Sequence, residues 1–100
     1  MAISGNAKYT AQVREMRSAA TEIRNKASEY RDATGSAMKA CDTLASQWEG
    51  DAQVAFVTEQ GEAKRWYEQM YELILNYAKA LEEAARTYED ADRAAERAIR

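Results

Sequence analysis

Ser46-Gln47-Trp48-Glu49-Gly50-Asp51 lies almost at the midpoint of a 100-residue chain, with one long helical pattern running into it and a second running out. A bulky aromatic is followed two residues later by a glycine, which readily takes the left-handed backbone conformation that ends a helix. Asp51 beside it carries a carboxylate suited to accept hydrogen bonds from the free N–H groups of a following helix. These residues are expected to form the bend of a helix-turn-helix hairpin, with the turn at 46–50 and helices over about 7–45 and 51–95. The whole chain, 1–100, then reads as a single helical-hairpin domain.

Upstream of the bend, Ser4 and Asn6 are both capable N-caps. Tyr9, Val13, Met16, Ala20, Ile23, Ala27, Tyr30, Thr34, Ala37, Cys41 and Leu44 then recur at alternating steps of four and three. That is a heptad seam in which only Thr34 is polar, and its alanines allow a partner helix to come close. Arg14, Arg24, Arg31, Glu15 and Glu22 fall off the stripe and read as a solvated face. Gly35 costs about 1 kcal/mol relative to alanine inside a helix. Either the helix continues through it, as a tolerated or close-packed glycine, or it breaks there to give three helices. The unbroken register on both sides favours continuity.

Downstream, Ala52, Phe56, Ala63, Trp66, Met70, Leu73, Tyr77, Ala80, Ala84, Ala91, Ala94 and Ala98 carry a stripe, interrupted at Glu59 and Thr87. A second apolar row runs beside it through Tyr67, Tyr71, Ile74, Ala78, Leu81, Ala85 and Tyr88. So wide a face needs more than one neighbouring helix, and a hairpin supplies one. The expected assembly is a dimer forming an antiparallel four-helix bundle, with Trp66, Met70, Leu73, Ile74 and Tyr77 near the centre of the interface. Helical spacing makes Trp66, Tyr67, Tyr71 and Tyr77 packing residues rather than a ligand box, and Gly61 suits a close helix crossing. Past Glu82 the chain turns alanine-rich and charged, so burial is expected to thin and the helix to fray.

Composition excludes several functions. With no proline, four glycines and 46% hydrophobic residues, many of them alanine, the chain suits long helices with narrow seams rather than a thick core. Net charge is −3, with seven Lys/Arg against six Asp/Glu in residues 1–50 and seven against eleven in 51–100, a balance that suits neither nucleic acid nor an anionic membrane. No histidine is present, so histidine-based nucleophile pairs and metal sites are excluded, and no glycine-rich phosphate loop follows a strand. Glu82-Glu83 and Asp90 with Asp92 sit in acidic runs that read as solvated. Neither catalytic residue, metal, cofactor nor small-molecule substrate is expected, and the chain reads as a non-enzyme. Cys41, the one cysteine, is a small core residue or else an interchain disulfide partner. The start of the chain lacks the charged and apolar regions of a cleaved signal peptide.

Trp48-Glu49-Gly50 at the midpoint, continuing into Asp51-Ala52 and Phe56, resembles the Trp-X-Gly helical-hairpin family, the ESAT/Esx-like proteins exported by the type VII secretion system. The resemblance covers the whole chain in layout. It implies that Trp48 and Gly50 form the turn motif and that Tyr88 with Asp92 matches the family's C-terminal Tyr-X-X-X-Asp/Glu secretion signal. It further implies an interaction or effector-partner protein, made in the cytoplasm and secreted without a cleaved signal. Its partners would be a second copy or a paralogous family member, and the secretion ATPase. A cytoplasmic helical adaptor or structural coiled-coil protein is the alternative. Head-to-tail packing of two hairpins would set the Trp48 turn of one chain beside Tyr88 and Asp92 of the other as a composite surface. Trp48 is then partly exposed beside the bend; the alternative is that it caps the bundle core.

Overall fold

The computed structural model describes residues 5–99, with side chains described for 9–98. It consists of α1 (Gly5–Ala45) and α2 (Asp51–Ile99), with no strand among the described residues. The fold is the expected helical hairpin. Ser4 lies outside the described residues, as does the side chain of Asn6.

Helix α1 passes through Gly35 without a break. The polar seam residue Thr34 donates its hydroxyl proton to the Tyr30 carbonyl at 2.9 Å, so it enters the seam already hydrogen-bonded. A Cβ at Gly35 would meet nothing within 4 Å, which makes this glycine tolerated rather than close-packed. Gly61 has the same open surroundings, so no close crossing within the chain accounts for it.

The bend works differently from the sequence expectation. After Ser46 donates its N–H to the Asp42 carbonyl at 3.0 Å, α1 tightens into shorter steps, Gln47 N–H to Leu44 and Trp48 N–H to Ala45. The helix therefore ends without a glycine. Gly50, with φ 93°, stands instead directly before α2, where its carbonyl accepts the Val54 N–H at 3.2 Å. Its left-handed backbone turns the chain into the second helix. Asp51 consequently lies inside the first turn of α2 rather than at the cap, and its negative charge complements the positive end of the helix dipole.

The chain forms two compact units. One is Asn25–Ile74, containing the bend; the other combines α1 up to Arg24 with α2 from Leu75 onwards. In each, a stretch of α1 packs on a stretch of α2 through small side chains. Ala27 and Ala45 are buried in the first unit, and Ala20, Ala78 and Ala85 in the second, while no large side chain is fully buried among the described residues. Alanine at the contact lets two helix axes approach more closely than branched or aromatic side chains do.

Of the two apolar rows on α2, the one through Tyr67, Ile74, Ala78, Leu81 and Ala85 turns towards α1, and the stripe through Trp66, Leu73, Tyr77 and Ala80 is exposed. The inner row brings Ala78 and Ala85 to the contact, where the rings of Trp66 or Tyr77 would hold the helices apart. Burial persists past Glu82, at Ala85 and Asp92, and thins only beyond Asp92, where no described residue is buried; α2 itself continues to Ile99.

Candidate functional site

At the bend, Trp48 packs edge-on against Phe56 with ring centroids 5.4 Å apart and planes at 61°. Its side chain remains 40% exposed, and Leu44, Val54 and Val57 are exposed as well. Trp48 thus braces the turn against Phe56 while part of its surface stays open to solvent. Two side chains complete the turn. Gln53 donates from Nε2 to the Ala45 carbonyl at 2.7 Å, a second hydrogen bond on the oxygen that already takes the Trp48 N–H, and Ser46 Oγ donates to the Thr43 carbonyl at 2.7 Å. Gln60 reaches across to the Met38 carbonyl and the Asp42 carboxylate. The sequence reading did not find Gln53 or Gln60. The signal available was a pair of amides, one heptad apart, on the α1-facing side of α2.

In the other unit, Tyr88 meets Tyr9 with ring centroids 4.8 Å apart and planes tilted by 39°. Four residues on, Asp92 is only 4% exposed, and its Oδ1 has no hydrogen-bond partner. The sequence pattern puts Asp92 in a solvated acidic run and on an exposed composite surface, and the structure buries it. The correction follows from the helix itself: Ala78, Ala85 and Asp92 are spaced by sevens, so the seam that buries the alanines carries the carboxylate inward. Asp90, two residues away, does face solvent and pairs with Arg93 at 3.2 Å. A pocket of about 180 Å³ beside Asp92 is lined by Thr10, Val13, Glu89 and Arg93.

Ion pairs flank this unit. Arg24 holds Glu82 with two hydrogen bonds of 2.9 and 2.7 Å, and Arg17 pairs with Glu89 one heptad away on both helices. The arginine hydrogen bonds hold both carboxyls below the ordinary value of 4.5, against a smaller upward effect of desolvation. Around the bend Arg31 instead lies over the Tyr71 ring, 5.1 Å from its centroid. Arg24 and Arg31, expected on a solvated face, therefore reach across to α2. Their long side chains can leave the stripe and still span the groove beside it.

Among the residues expected at a dimer interface, Trp66, Leu73 and Tyr77 are 58, 49 and 64% exposed, whereas Met70 and Ile74 are half-buried. Cys41 is a free, half-buried thiol.

Residues 8–93 match the family model WXG100, described as proteins of 100 residues with WXG. The chain belongs to the WXG100 family. The match spans the bend with its Trp48-Glu49-Gly50 and reaches past Asp92. No curated protein and no solved structure is matched. Family membership makes this an ESAT-like, type VII secretion-associated small protein. Among the described residues, no helix is long and apolar enough to cross a membrane.

Proposed function

We propose that this WXG100 protein is a substrate of the type VII secretion system that leaves the cell as a dimer, carries out no catalysis, and acts as an interaction or effector-partner protein. The observation that carries the reading is the exposed row of Trp66, Leu73 and Tyr77 on α2 in a member of this family. Three large apolar side chains in one helical stripe, far too exposed for core residues, suit burial against another helix pair. The total accessible surface supports the same conclusion: 7598 Å² for 11.3 kDa, where a folded monomer of that mass averages about 5,700 Å².

The partner is a second copy or a paralogous family member, and pairing gives an antiparallel four-helix bundle. A net charge of −3 offers little self-repulsion to a homodimer. Export is driven by the secretion ATPase, with Tyr88 and Asp92 as the C-terminal signal and the Trp48 and Gly50 turn as the second element. The half-exposed indole of Trp48 is available for such recognition, and Gly50 acts through its backbone. The deciding experiment compares culture supernatants of the native strain and one lacking the secretion ATPase. The protein is expected in the first supernatant and to accumulate inside cells in the second; retention in the cells of both strains identifies a cytoplasmic adaptor instead.

A further inference from the structure

Asp92 is the one buried polar or charged side chain among the described residues, and its Oδ1 is both sealed from solvent and without a donor. A buried carboxylate oxygen left unpaired is costly, because water has been removed and nothing has replaced it. That cost falls on the contact between the start of α1 and the end of α2, and it is relieved whenever the contact opens. In the closed state no ligand atom can reach the sealed oxygen. Tyr88 presents the opposite case: its ring is 36% exposed and rests on Tyr9. One short stretch of α1 thus bears on both residues, Tyr9 against Tyr88, with Thr10 and Val13 around the Asp92 pocket.

We propose that residues 9–13 of α1 are a cover over the export motif. The closed hairpin shows the tyrosine and hides the acid, and a receptor engages both only after the start of α1 has lifted from α2. The receptor group that meets Asp92 is an arginine or lysine side chain, since a cationic donor compensates a carboxylate most fully. The proposal rests on reading Tyr88 and Asp92 as the export signal.

Two measurements on the full-length protein test it. Hydrogen exchange reads the opening itself: amides of 88–98 should exchange at least tenfold faster than those of 78–85, and Asp92→Leu should slow them about tenfold by removing the unpaired oxygen. Equal exchange in the two segments, or no slowing in the variant, overturns the cover. The second measurement is binding to the purified secretion ATPase by a Cys41→Ala chain carrying Val13→Cys and Glu89→Cys. The oxidised, cross-linked form should bind at least tenfold more weakly than the same chain reduced, and Tyr9→Ala, which loosens the cover without a cross-link, should bind more tightly than native. Equal binding by oxidised and reduced forms, or weaker binding by Tyr9→Ala, overturns the cover while leaving the signal intact. If instead Tyr88→Ala and Asp92→Ala both bind as the native chain does, the signal reading fails and the proposal falls with it.

Discussion

Around the bend, residues 25–74 are held by ring edges and amides: Tyr30 against Tyr67, Trp48 against Phe56, Arg31 over Tyr71, and Gln53 and Gln60 on α1 carbonyls. The unit formed by the start of α1 and the end of α2 shares the alanine contacts and adds, among the described residues, two interhelical ion pairs and one ring pair, and it buries an acid. Among the described residues, the same two helices therefore give one region without an unpaired buried side-chain polar atom and another with an unmatched carboxylate. The difference teaches where each can change. The bend is built to keep its geometry, while the region of Tyr88 and Asp92 has a stored reason to open.

The largest effect is expected from overfilling the alanine contacts. Ala27→Leu in one unit and Ala85→Leu in the other should each destabilise by about 1–3 kcal/mol, because added methylenes force the backbones apart. Chemical denaturation gives the values. If Ala85→Leu is neutral while Ala27→Leu is not, the second unit is looser than its buried alanine implies.

Next comes the bend. Gly50→Ala should cost about 1–2 kcal/mol, the penalty for a side chain in left-handed backbone, even though a Cβ there has open space. A thermal melt within error of native would show that the turn can relax to negative φ. By contrast Gly61→Ala, in a helix interior with equally open surroundings, should gain about 0.5–1 kcal/mol. A loss of dimer at that position would place Gly61 in the interface between chains.

The bend, both helices and the heptad seam of α1 were legible in the sequence because each rests on local rules: turn glycine, helix propensity and apolar periodicity. The role of Gly50 was not, since a left-handed residue serves the end of one helix or the start of the next equally well in sequence. Nor could the sequence show which apolar row of α2 faces α1. Both rows have helical spacing, and the choice depends on how closely Ala78 and Ala85 let the helices approach. Asp92 was misread for a related reason: its type and acidic neighbours suggest solvent, and only its heptad relation to Ala85 points inward.

The smallest effects concern charge. Arginine hydrogen bonds hold Glu82 and Glu89 below 4.5 in the folded chain. A depressed folded value means that the stabilisation is fully present above 4.5 and is lost as pH falls through the folded value. Acidification should therefore lower amide protection factors, taken against the intrinsic rate at each pH, in 75–98 before 51–74, and added salt should weaken the same pairs because they are partly exposed. Exchange that rises equally in both segments would mean that the ion pairs do not distinguish the units.

Sedimentation equilibrium tests most directly whether a second chain covers the exposed row of α2. At micromolar concentration the native protein should sediment as two chains of 11.3 kDa each. Leu73→Glu, which places an unpaired charge in the row, should sediment as one chain or unfold. A native protein that sediments as a single 11.3 kDa chain, with a partner family member absent and present alike, would contradict the account.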